Sequence, residues 1–203
     1  MTARAAGEML LAARICPIET PFRMSLFFAT LIPGLFLLAL GGLLLANPPL
    51  LRSLLTALPR SPAATLVLFG GGVLWFLVRV ANMGDADRII GSSNVPWVIG
   101  FAALGALSIK YVPDFLAVRG LCILILLAAT PLLDAAFMHY EPRDYPLKVL
   151  VYLAILLALY LAAVPYRLRD FFAWLFSRPG RARGVGAALL AYGFLLNLVA
   201  FTY

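Results

Sequence analysis

The chain has 203 residues, of which 64% are hydrophobic and only 12% charged. A soluble domain carries about 45–50% apolar and about 25% charged residues, so the composition excludes a disordered segment, a nucleic-acid-binding domain with solvated basic arms and a water-soluble enzyme. Mean hydropathy is +0.99; an all-α, polytopic transmembrane bundle remains, with a net charge of +7 to place about a bilayer.

Residues 1–23 form a polar N-terminal extension with Arg4, Glu8, Arg14, Glu19 and Arg23. Its apolar patch, Met9–Leu11, is too short for a signal peptide. Ala13-Arg14-Ile15 before Cys16 does not suit a lipoprotein cleavage site. Met24 stands directly before the first apolar run and is a candidate start, with residues 1–23 then untranslated. Residues 24–203 read as a single transmembrane helical domain.

A helix needs about 20 apolar residues to cross the hydrocarbon layer, and six stretches approach that length: 24–46, 62–81, 96–112, 117–138, 147–165 and 185–203. They are continuously apolar, whereas barrel strands alternate. Between the first two, Leu51, Leu54, Leu55 and Leu58 recur at helical spacing between Pro49 and Pro59, predicting a short amphipathic helix. The third is the shortest and carries Pro96, Gly100, Gly105 and Ser108; a re-entrant segment there would reverse the side of every later one. After the fifth, Leu168, Phe171, Phe172, Leu175 and Phe176 fall on one helix face, predicting an interfacial helix over 166–178, apolar side down in the lipid and ended by Pro179-Gly180. Pro33 and Gly70-Gly71-Gly72 lie inside spans, where neighbouring helices can satisfy the backbone groups they free.

Six spans put both termini and the loops around Asp85 and Glu141 on one side, where basic and acidic residues balance. The other side carries Arg52, Arg60, Lys110, Arg119, Arg167, Arg169, Arg178, Arg181 and Arg183 against Asp114 and Asp170. Lys and Arg in short loops face the cytoplasm, so this side is expected to be cytoplasmic and both termini outside, in the inner membrane of a bacterium. Arg167, Arg169, Arg178, Arg181 and Arg183 are the candidate contacts to anionic lipid headgroups.

Ionisable groups at membrane depth are functional candidates by default. Asp134, His139 and Glu141, with Asp144 close by, hold carboxylates and the one imidazole near the end of the fourth span; Asp85 and Asp87 form an Asp-x-Asp pair in the other outer loop. Neither spacing matches a ligand motif, and the structural alternative pairs Asp134 with Arg143 or Lys148. Gly91-Ser92-Ser93 has no partner base at informative spacing. Asp114 and Lys110 stand one helical step apart and are expected to pair. Cys16 and Cys122 imply no disulfide or redox pair. No cofactor, metal or nucleic acid is expected. Four-residue small-residue steps, Ala154-Ala158-Ala162, Gly42-Ala46, Ala102-Ala106 and Gly184-Ala188, predict where helices approach closely.

The leading functional expectation is a non-catalytic subunit, scaffold or accessory factor, with membrane lipids and a membrane-protein partner or second copy as its contacts. The second is a small permease in which Asn197, Thr65, Ser108, Thr130 and Asp134 converge on one pathway. The third is a lipid-headgroup-modifying enzyme using Asp85, Asp87, Asp134, His139 and Glu141 on the outer face.

Overall fold

A computed structural model describes residues 24–84, 93–112 and 114–203, which form eight helices and no strands. Helix α1, Leu26–Ala46, starts where extended Ser25 accepts the Phe28 amide and ends at Asn47, whose positive φ of 44° closes the last turn. Helix α2, Pro49–Ala57, begins with proline in its first turn, where no amide is needed. A 3₁₀ turn, Leu58–Arg60, leads to α3, Pro62–Ala81, capped by the Ser61 hydroxyl. Residues Thr65–Phe69 of α3 are wound as a π-helix. Helix α4, Val95–Tyr111, is tied to the end of α3 by the Asn94 side-chain amide, which donates to the carbonyls of Ala81 and Met83, each at 2.9 Å. Then follow α5 (Leu116–Ala135), a 3₁₀ turn (Pro142–Asp144), α6 (Tyr145–Ala163), α7 (Tyr166–Leu175) and α8 (Pro179–Ala200).

Among the described residues, five helices are long and apolar enough to cross a membrane: α1, α3, α5, the stretch from the 3₁₀ turn through α6, and α8. The shorter α4 has 17 residues, about 26 Å of helix against a hydrocarbon layer of about 30 Å. It runs antiparallel along α3, from the Asn94 tie at one end, through Phe76 on Phe101 and Val73 on Gly105, to Ile109 beside Pro62 and Leu66.

Three boundaries depart from expectation. The fourth apolar stretch leaves the helix at Ala135, and Met138 turns the chain with φ 64°. The amphipathic helix stops at Leu175, because Pro179 forces Arg178 into extended backbone. Proline at the first position then starts α8 six residues before the expected span, so Arg181 and Arg183 are helical.

The bundle is built on an antiparallel pair, α1 with α8. Thr30, Gly34, Leu37, Gly41 and Leu44 face Ala182, Gly186, Leu189, Gly193, Leu196 and Ala200, with steps that alternate between three and four residues on both helices. A period of 3.5 is that of a left-handed supercoil. Glycine is required at the crossing: a Cβ on Gly41 would lie 2.8 Å from the Gly186 carbonyl oxygen, and one on Gly193 would lie 2.9 Å from that of Gly34. Gly42 and Gly184, singled out by their four-residue steps, meet nothing within 4 Å.

Antiparallel α5 and α6 pack through Val118, Cys122, Ala158 and Leu161, and join the α1–α8 pair through Ala29, Ala129, Leu147, Val151 and Leu196. Of the expected alanine ladder, Ala158 is the buried member. Helix α3 runs parallel to α5, with the π-helical Phe69 backbone against Gly120 and Gly72 against Ile123; α4 lies outside α3. Outward-facing residues such as Phe36, Leu66, Leu104, Leu156 and Phe194 form an apolar girdle, which suits lipid or a membrane partner and would be a liability in water.

Candidate functional site

Nine cationic side chains gather at one end of the bundle, where α1 and α6 finish and α3, α5 and α8 begin. They are Arg52, Arg60, Lys110, Arg119, Arg167, Arg169, Arg178, Arg181 and Arg183, with Asp114 and Asp170 as the acids among them. The short helices α2 and α7 cap this end and touch each other. The apolar stripe of α7 is turned largely onto the bundle instead of outward, whereas α2 leaves Leu50 and Leu54 exposed. Leu168, Leu175 and Phe176 are buried on the bundle, with Leu51, Leu55 and Phe172 packed around Leu44 and Ala182. Tyr166, Phe171 and Trp174 remain exposed, with Phe171 stacked on Trp174 at 6.0 Å; tyrosine and tryptophan favour an interfacial level.

The five candidate arginines divide by what they touch. Arg181 is a clamp: its guanidinium donates to the Trp174 carbonyl at 3.1 Å and the Ser177 hydroxyl at 2.7 Å, and lies 4.8 Å from the Trp174 ring. A cation there meets the negative carbonyl end of α7 and joins α7 to α8. Arg169 forks onto Asp170 at 2.9 and 3.2 Å, and Arg167 lies over the Tyr166 ring at 5.8 Å. Arg178 and Arg183 are exposed and make no ion pair or side-chain hydrogen bond among the described residues. Two further cations rest on rings, Arg52 on Phe176 and Arg60 on Phe115, each at 6.0 Å. Lys110 sits over Tyr111 at 5.6 Å instead of pairing with exposed Asp114.

A cleft of about 250 Å³ opens at the same end, lined by Arg60, Pro62, Thr65, Leu66 and Ile109 between the start of α3 and the finish of α4.

At the opposite end Asp134, His139 and Glu141 do not assemble into one site among the described residues. Asp85 and Asp87 lie outside the described residues. Asp134 is exposed, and neither expected cation reaches it: Arg143 pairs with Glu141 at 2.6 Å and donates to the Thr202 carbonyl at 2.9 Å, while Lys148 donates to the His139 carbonyl. Among the described residues no three His, Cys, Asp or Glu side chains come together as metal ligands. The polar residues of a transport path turn into their own helices: Thr65 donates to the Ser61 carbonyl, Ser108 to Leu104 and Asn197 to Gly193, while Thr130 is exposed.

Of the carboxylates grouped near His139, Asp144 stands apart in a way its hairpin position does not suggest. Asp144 is 1% exposed, the one buried charged side chain among the described residues. It lies beneath Tyr203, which is drawn back by the Arg143 guanidinium 5.2 Å from its ring. The Tyr203 phenol is pushed up to about 12, first by burial and then by the neighbouring Asp144 carboxylate. The folded state therefore holds this proton more tightly than the unfolded chain, whose phenol titrates near 10.0. Its contribution to stability is complete below about pH 10 and falls away as pH rises toward about 12. Alkaline melting curves of wild type and Tyr203→Phe are expected to converge over that interval; a constant offset would contradict the shift.

No protein family, curated protein or solved structure matches this chain.

Proposed function

We propose that the protein is a non-catalytic scaffold or accessory subunit of a membrane assembly, seated by its basic end on the anionic cytoplasmic leaflet with both termini on the far side. The observation that carries this reading is the gathering of nine cations at one end, with Arg178 and Arg183 exposed and unpaired among the described residues and an exposed aromatic rim at the same end. Such a face attracts anionic headgroups, each Lys or Arg near the surface contributing about 1 kcal/mol. The scaffold reading is supported by the α1–α8 contact, where backbone meets backbone and occupies the space a permeation path would need.

Replacing Arg178 and Arg183 together with alanine is expected to weaken binding to phosphatidylglycerol nanodiscs, relative to phosphatidylcholine ones, by about 30-fold, two cations at about 1 kcal/mol each. Cysteine-labelling of Ser177 and Thr202 in intact cells is expected to place the first inside and the second outside. Unchanged lipid preference would sink the headgroup reading, and inverted labelling would sink the orientation. For the assembly, cross-linking in native membranes should yield one stoichiometric adduct; lipid-headgroup turnover by the purified chain would instead establish an enzyme.

A further inference from the structure

Asp144 occupies the N-cap of α6, where an aspartate ordinarily accepts from the first-turn amides. It makes no such bond. Its side chain is turned inward, both carboxylate oxygens are sealed from solvent, and among the described residues the one hydroxyl that approaches them, that of Tyr203, is directed to the Arg143 carbonyl at 3.4 Å. A buried carboxylate without a donor or counter-ion is strongly disfavoured, and buried charges in proteins are paired or coordinate a metal.

The neighbouring groups on each packed element are oxygen donors to a cation. From α1 comes the Thr30 hydroxyl, wholly buried, whose proton goes to the Leu26 carbonyl at 2.9 Å, leaving its lone pairs free. From the C-terminal segment comes the Tyr203 hydroxyl, which feels both Asp144 and Thr30 and points toward the Arg143 carbonyl at 3.4 Å. The charged neighbours do not neutralise Asp144. Arg143 is spent on Glu141 and on the Thr202 carbonyl, and Lys148 on the His139 carbonyl. Tyr192 donates to the Pro146 carbonyl at 2.8 Å.

We propose that Asp144, Thr30 and Tyr203 form a binding site for a single sodium ion. One carboxylate with neutral hydroxyl and carbonyl oxygens makes a hard-oxygen site of net charge −1. Calcium takes six to eight oxygens, usually from several carboxylates, and a transition metal calls for imidazole or thiolate; neither set is present among the described residues. Bound sodium ties the start of α1, the α5–α6 turn and the residues after α8 into one knot. The proposal is independent of the lipid reading, since the site lies at the opposite end of the bundle.

The test is the melting temperature of the purified full chain in detergent at neutral pH, with sodium chloride exchanged for N-methyl-D-glucamine chloride at constant ionic strength. Wild type is expected to gain roughly 3–5 °C for each tenfold rise in sodium above Kd. Asp144→Asn is expected to be flat in sodium, and Tyr203→Phe to need more sodium for the same gain. Equal melting of wild type in the two salts overturns the proposal, as does an equal sodium response in Asp144→Asn. The wild-type salt series stands even where the asparagine variant fails to fold.

Discussion

Gly120→Ala is expected to destabilise the bundle by about 3 kcal/mol or more, at or beyond the top of the usual range for overpacking. The added Cβ would fall 2.4 Å from the Cα and amide nitrogen of Phe69 and 2.7 Å from the Leu68 carbonyl carbon. Carbon atoms rest at about 3.5–4.0 Å, and these are backbone atoms of a neighbouring helix, so no rotamer change relieves the clash. Helices α3 and α5 must part by an ångström or more, and the π-helical turn Thr65–Phe69, which presents that backbone, must rewind. Gly42→Ala provides the contrast. Its Cβ would meet nothing within 4 Å, and removing a mid-helix glycine stabilises by about 0.5–1 kcal/mol. Denaturation in mixed micelles should move the two variants in opposite directions; a common loss would mean that glycine matters here for flexibility and not for space.

The α1–α8 seam carries the second large effect. Gly41→Ala places its Cβ 2.8 Å from the Gly186 carbonyl oxygen and the Leu190 nitrogen, and Gly186→Ala places one 2.9 Å from the Gly41 carbonyl oxygen and the Leu45 nitrogen. Each is expected to cost about 2–3 kcal/mol. The double variant is expected to cost clearly less than the sum, because a pair already spread by the first methyl has room for the second. Full additivity in the same micelle titration would mean that the two glycines do not share one crossing.

Much of this architecture was legible because each signal was local. Proline at a first turn, serine as a cap and an unbroken apolar run place α3 at Pro62–Ala81, as read from the sequence. Amphipathic spacing likewise found α2 and α7. The readings that failed concern what those faces meet. Periodicity separates apolar from polar sides, yet it cannot say whether lipid or protein lies opposite, so the buried stripe of α7 looked like a membrane anchor. Four-residue steps of small residues miss the seam, because supercoiled partners repeat every seven; Gly34 with Gly41 and Gly186 with Gly193 carry that signal. Arg181 and Arg183 look like loop residues by their charge alone, although the helix already starts at Pro179. The burial of Asp144 was out of reach, since it depends on Thr30 and Tyr203 arriving from the two ends of the described chain.

The pairing of α1 with α8 also sets an order of events. Gly41 leaves the ribosome about 150 residues before its partner Gly186. At roughly 5–20 residues per second, the glycine face of α1 waits on the order of 10–30 s for the helix that fits it. In that interval a lipid tail, an insertion factor or the α1 of another nascent chain can occupy the groove. Helix α8 therefore acts as a latch on α1, and truncation before Gly186 leaves α1 without its mate.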